Sequence, residues 1–163
     1  MVEREEAFLE LLATHGPRLR GIAWSYARGT DREDLHQEIL CQLWRSLPSF
    51  RGDAGLGTWV YRVALNTALT WTRNRRRRPV EVQPAAEAAA HPTSAGDSRR
   101  QDAILEEFLE LLGETDRSLL ILYLEGLRYE QMSEVTGLSL SGVGVRLHRI
   151  KSAYRRRFLE GEP

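Results

Sequence analysis

An all-α fold, in two small helical domains joined by a flexible linker, is what three features of this sequence predict. Apolar residues recur at three- and four-residue spacing over most of the 163 residues, and strand-like alternation is nearly absent. Residues 79–100 carry three prolines and few large apolar side chains, too little apolar area to offset the entropy of ordering. Glycine, proline or a small hydroxyl residue stands at the joints between the apolar runs, which is ordinary helix punctuation.

The elements follow in order. A first helix over about 3–14 places Phe8, Leu11 and Leu12 on one side. Gly16 and Pro17 are expected to break it and start a second, with Leu19, Ile22, Ala23 and Tyr26 inward. Gly29 makes the next joint, and Thr30 or Asp31 is a natural N-cap. The third helix runs to about Leu47 before Pro48, burying Leu35, Ile39, Leu43, Trp44 and Leu47. Thr58 caps a fourth, in which Trp59, Val60, Val63, Ala64, Thr67 and Trp71 face inward while Tyr61, Arg62, Leu65, Asn66 and Leu69 face out. These four helices make a domain over 1–78, and 79–100 is a tether. A second helical domain over 101–163 begins with a helix carrying Ile104, Leu105, Phe108, Leu109 and Leu112, ended by Gly113. Thr115 and Asp116 cap the next, which runs to Leu124 with Gly126 after its end. A short helix over about 129–135, a turn at Gly137 and a last helix capped by Ser139 complete the chain, the last with a core stripe of Leu140, Val143, Leu147, Ile150, Tyr154 and Phe158.

The formal net charge is zero, from 23 basic and 23 acidic residues, but the charges are segregated. Residues 1–78 hold 13 Arg against 9 acids, and 79–112 hold 2 basic against 7 acidic residues. No acid lies between Glu134 and Glu160, whereas Arg146, Arg149, Lys151, Arg155, Arg156 and Arg157 do. A polyanion responds to such local fields rather than to the total. The single cysteine excludes an internal disulfide, and Cys41 at i+5 from His36 is a poor chelating pair, so a half-buried thiol, a surface imidazole and no metal or cofactor are expected. No apolar run approaches a membrane span, and the amino terminus does not read as a signal peptide, so a soluble cytoplasmic protein is expected.

The last two helices form a helix-turn-helix, which places its second helix in a DNA major groove. Away from its core stripe that helix presents Ser141, Gly142, Val145 and Arg149, with Arg146 and His148 on the flanks. Arginine can read guanine edges or hold phosphates, and Val145 can touch a thymine methyl. Gly142 and Gly144 each weaken the helix by about 1 kcal/mol, a cost that close backbone approach would explain. On the fourth helix, Arg62 and Asn66 suit an unpaired base, the loop 51–57 is pliable enough to wrap one, and the cluster from Arg73 to Arg78 calls for an anion.

Two motif blocks carry a family resemblance. The run Asp34-Leu-x-Gln-Glu…Leu-Trp-Arg45, followed by Phe50-Arg-Gly-Asp…Thr-Trp-Val-Tyr-Arg-Val-Ala-Leu-Asn66, resembles the first conserved domain (sigma region 2) of bacterial extracytoplasmic-function (group IV) sigma factors. Leu124-Glu-Gly-Leu-Arg-Tyr-Glu-Gln-Met-Ser-Glu…Gly137-Leu-Ser…Val143-x-x-Arg-Leu-His-Arg149 resembles their second (sigma region 4). The resemblance implies a promoter-specificity subunit of RNA polymerase with no catalytic activity of its own. It implies docking of Asp34, Gln37, Glu38 and Arg45 on the clamp helices of the largest polymerase subunit, and a further contact of the rear domain with the β flap. It implies capture of the −10 element by Phe50, Arg51, Leu56, Arg62, Asn66 and Arg73. Duplex −35 recognition falls to Ser141, Gly142, Val145, Arg146 and Arg149, and an anti-sigma factor is the expected regulator. Two departures stand out: Leu56 and Gly57 where the family often has an aromatic or bulky pair, which implies a looser base pocket, and Gly142, Gly144 and Val145 where it often has Thr, Lys and Ser.

Two other readings compete. A helix-turn-helix regulator that never meets polymerase would bind duplex tightly alone and leave the 34–45 face idle. A serine recombinase or nuclease needs a nucleophile or a metal-binding carboxylate cluster, and Asp31, Glu33 and Asp34 read instead as a helix start.

Overall fold

The computed structural model describes residues 2–77 and 97–160; Arg78, His91 and most of the expected tether lie outside them. Two compact units divide the chain, Met1–Ala88 and Ala89–Pro163. The first contains α1 (Val2–Tyr26), α2 (Asp31–Ser46), a 3-10 turn (Leu47–Ser49) and α3 (Leu56–Arg77). The second contains α4 (Asp97–Leu111), α5 (Glu114–Leu124), α6 (Tyr129–Thr136) and α7 (Leu140–Phe158). Helix α4 thus begins inside the 79–100 segment read as tether.

Among the described residues the first unit has three α-helices rather than four, because α1 continues through Gly16 and Pro17. The local penalty of a proline is about 3 kcal/mol, from a lost hydrogen bond and a ring clash with the carbonyl four residues back. Both Pro17 and Ala13 lie on the exposed side, where water can take that carbonyl. On the other side Leu11, His15, Leu19, Ile22 and Tyr26 keep helical phase across the proline and are all buried, so packing holds the helix together. The carboxyl end of α1 is closed by a buried arginine: Arg32 Nε donates to the Ala27 carbonyl at 3.1 Å. At the other end Arg4 lies 4.0 Å above the Trp44 ring and donates to the Trp44 carbonyl, fastening α1 to the end of α2.

Helix α3 differs from expectation in its start and its face. It begins at Leu56, and the buried Thr58 is inside it. Tyr61 and Leu65, expected outward, are 1% and 4% exposed, while Trp59, Val63, Thr67 and Trp71 are half-buried. The reason is the number of neighbours. α3 packs on both α1 and α2, so its buried arc takes in 58, 61, 65 and 68 as well as 60 and 64, wider than a one-neighbour stripe.

In the second unit Leu119, Leu122, Met132, Val143 and Leu147 are fully buried, and Phe108, Tyr154 and Phe158 pack edge-on and tilted at centroid separations of 5.2–6.0 Å. Leu140, placed in the core stripe by its spacing, is 49% exposed; as the first residue of α7 it precedes the first buried turn. Gly113, not Thr115 or Asp116, is the N-cap of α5. Gly137 closes α6 at φ 76°, a left-handed conformation that costs other residues strain. Ser139 caps α7 as expected, its Oγ accepting from the Gly142 N–H at 3.1 Å. Ser139→Ala is therefore expected to lower the stability of this unit by about 1 kcal/mol, read as a shifted urea midpoint with unchanged slope.

Candidate functional site

Helices α2 and α3 run antiparallel, so the acidic start of one lies beside the arginine-rich end of the other. Arg75 on the last turn of α3 pairs with Asp31 on the first turn of α2, an internal anion for part of the arginine cluster. Both groups also suit the helix ends they occupy. Between the helices is an open groove of about 560 Å³, with Asp34, Glu38 and Gln42 on one wall and Asn66, Asn74 and Arg75 on the other. Gln42 Nε2 donates to Glu38 Oε1 at 2.9 Å, which fixes that carboxylate. Of the front-unit residues singled out from the sequence, the groove brings together Asp34, Glu38 and Asn66. Gln37 and Arg45 are exposed on α2 outside its lining, as are Arg62 and Arg73 on α3. Arg75 comes from the arginine cluster already singled out; Asn74 was missed as a lining residue, although 66, 70 and 74 repeat at one-turn spacing and mark a single polar face.

The loop before α3 is held at both ends. Gly52 takes φ 79°, Arg51 is exposed, and Leu56 is 39% exposed. Phe50 packs on Trp59, ring centroids 5.1 Å apart, and so presents only part of its ring. At Gly57 a Cβ would come within 3.3 Å of His15 Cε1, so the closeness of α1 by itself favours a small residue next to Leu56. His15 Nδ1 lies 2.9 Å from Tyr61 Oη, and Arg18 Nη1 donates to the same oxygen at 3.1 Å. Sequence reasoning missed this cluster, whose partners are far apart in the chain.

In the second unit, Ser141, Val145 and Arg149 succeed one another at one-turn spacing on the exposed side of α7, Val145 being 57% exposed. Arg146 is directed back to α5, Nη1 donating to Asp116 Oδ1 at 2.7 Å. The two arginines expected to reach DNA are therefore not equivalent. Gly142 has a reason inside the fold: a Cβ there would stand 3.0 Å from the capping Ser139 Oγ. Gly144 has no such constraint, since its Cβ would make ordinary contact with Tyr129 at 3.8 Å.

The remaining candidates are quiet. Cys41 is exposed rather than half-buried. His36 is half-buried against Trp24, and burial followed by the charge of Arg20 lowers its pKa, with Glu33 opposing. Among the described residues no group of three or more His, Cys, Asp or Glu is placed to hold a metal ion, and no helix is long and apolar enough to cross a membrane.

Comparison with known proteins adds to this geometry. Residues 11–78 match the Sigma-70 region 2 family and residues 102–153 match Sigma-70, region 4. The chain is 30% identical over 162 residues to the ECF RNA polymerase sigma-E factor of Escherichia coli, covering 91% of this chain and 85% of that one. It is 28% identical over 160 residues to the sigma-E factor of Haemophilus influenzae, covering 90% and 85%. Among solved structures it resembles CnrH in complex with the cytosolic domain of CnrY, with TM-score 0.72, 23% identity and coverage of 97% and 91%. It also resembles the sigma factor RpoE in complex with the anti-sigma factor NepR from Bartonella quintana, with TM-score 0.73, 22% identity and coverage of 97% and 99%. At these identities the two structures are likenesses of fold.

Proposed function

This chain belongs to the extracytoplasmic-function sigma factors of the sigma-70 family, and from that membership we propose how its two units divide the work of promoter-specific transcription initiation. The first unit joins core RNA polymerase through Asp34, Gln37, Glu38 and Arg45 on α2. Phe50, Arg51, Leu56, Arg62, Asn66 and Arg73 hold the −10 strand once its bases unstack. The second unit reads the −35 duplex through Ser141, Gly142, Val145, Arg146 and Arg149, and meets the β flap of the polymerase. The protein carries out no bond chemistry of its own and acts in the cytoplasm. Binding energy drives opening: phosphate contacts set position, and capture of unstacked bases favours the melted state. An anti-sigma factor restrains it, as NepR is bound to RpoE in the related structure.

The observation that supports this reading is that Asp34 and Glu38 of α2 line one open groove with Asn66 of α3, so that the candidate polymerase-contact and base-contact residues stand on adjacent helices. A gel-shift experiment tests it with promoter duplex, intact chain and core polymerase. The reading expects a stable complex only when core is present. Tight binding by the chain alone, unaffected by core, would favour a free-standing regulator.

Arg149 gives a sharper expectation. Arg149→Ala should cost about 1–3 kcal/mol on the preferred −35 sequence and relax the preference at one base pair if the guanidinium is bidentate on guanine. An equal loss on every duplex, with a smaller salt dependence, marks a phosphate contact instead. Arg146→Ala should cost less, because Asp116 competes for that guanidinium.

A further inference from the structure

We propose that His15, on a helix with no expected role in DNA recognition, is a positioning residue that sets the start of α3 and with it the strand-capturing loop. The inference rests on the reading that this loop and α3 hold the −10 strand. Two contacts converge on one buried ring. The imidazole is only 9% exposed, its Nδ1 meets Tyr61 Oη at 2.9 Å, and its Cε1 edge abuts the bare Cα of Gly57. Gly57 and Tyr61 are one turn apart, so His15 touches the first two turns of α3 on the same side. The Phe50–Trp59 pair anchors the opposite end of the loop. Between these two anchors lies the loop that carries Arg51 and leads to Leu56.

The donors and acceptors fix the state of the ring. Arg18 can only donate, so Tyr61 Oη accepts from it and the phenolic hydrogen is left to donate to His15 Nδ1. That requires a neutral imidazole with its hydrogen on Nε2. A protonated ring would also donate toward Tyr61, leave the phenolic hydrogen with no acceptor there, and bring a second positive charge beside Arg18. The charged and titratable groups facing the ring are Arg18 from its own helix and Tyr61 from α3; Gly57 brings none. Burial, and after it the Arg18 charge, hold the imidazole below its ordinary pKa of 6.5. The folded value lies below the unfolded one, so this contribution is whole above the unfolded pKa and is lost as pH falls through the folded value.

The test uses the intact chain with core polymerase and compares three measurements: association with core, −35 duplex binding, and strand opening followed by a fluorescent base analogue in the −10 element. His15→Leu keeps bulk and removes the acceptor, whereas His15→Asn keeps an acceptor near the Nδ1 position. Opening should fall about tenfold for the leucine variant, the scale for deleting a buried hydrogen-bond acceptor, with the other two measurements within about twofold. The asparagine variant should recover most of the opening, and its opening should not follow the decline expected of the wild type as pH falls through the lowered pKa of His15. Gly57→Ala, which presses on the ring without altering its chemistry, should slow opening in the same direction. Equal losses in core association and opening would reduce His15 to a packing residue and overturn the proposal. So would unchanged opening in the leucine variant, or identical pH profiles for the wild type and the asparagine variant. If Arg62→Ala and Asn66→Ala leave opening intact, the reading of the loop fails first, and the proposal with it.

Discussion

Charge reversal at both Asp34 and Glu38, Asp34→Arg with Glu38→Arg, is expected to weaken association with core polymerase by roughly 3–5 kcal/mol, a hundredfold to several thousandfold. The size comes from replacing two attractive contacts by two like-charge repulsions in one interface. The fold should lose little. Asp34 is exposed, and Glu38 has a side-chain bond to its neighbour Gln42 on the same helix. The cost within the chain is the loss of an acid from the first turn of α2, worth about 0.3–1 kcal/mol against the helix dipole, together with solvent-screened repulsion from Arg75 across the groove. Binding of the −35 duplex by the second unit should be unchanged. Fluorescence anisotropy with labelled chain reads the two affinities, and a urea transition reads the fold. Wild-type affinity for core in the double variant would remove α2 from the docking face.

Leu147→Ala should have the largest effect on stability. Its side chain is fully buried at the centre of α7, and truncation at such a site costs about 2–5 kcal/mol. A helical unit of this size has only a few kcal/mol in reserve, roughly 0.05–0.15 per residue. The variant is therefore expected to lose cooperative folding of the second unit and −35 binding together. The sequence supplies a way to see this unit alone. All four tryptophans, Trp24, Trp44, Trp59 and Trp71, belong to the first unit, so indole fluorescence reports that unit and far-ultraviolet dichroism reports both. In urea the dichroism transition should move to lower denaturant while the fluorescence transition stays in place. A parallel shift of both would mean that the two units unfold as one.

How much of this was legible in the sequence depends on how many neighbours each helix has. In α7 the stripe of Val143, Leu147 and Ile150, the Ser139 cap and the turn at Gly137 are local signals, and they read correctly. In α3 the face was misjudged at Tyr61 and Leu65, because two neighbouring helices widen the buried arc and no local spacing reports a second neighbour. The proline at 17 misled in the opposite sense: its penalty is local, while the packing that outweighs it is spread over Leu11, Leu19 and Ile22. The exposure of Asp34, Gln37, Arg45, Arg62, Asn66 and Arg149 was legible because polar residues off an apolar stripe are conspicuous. The Arg146–Asp116 pair and the His15–Tyr61 contact were not, since each joins residues on different helices, 30 and 46 positions apart.

Run-off transcription most directly tests whether this chain directs polymerase to promoters by dividing strand capture and duplex recognition between its units. Purified core polymerase and the intact chain are incubated with a library of genomic fragments, and the transcripts are sequenced. Discrete start sites sharing a −10 and a −35 element at constant spacing are expected, with starts lost in the Arg62→Ala, Asn66→Ala double variant even where the −35 duplex is still bound. Transcripts no different from those of core polymerase alone would contradict the account.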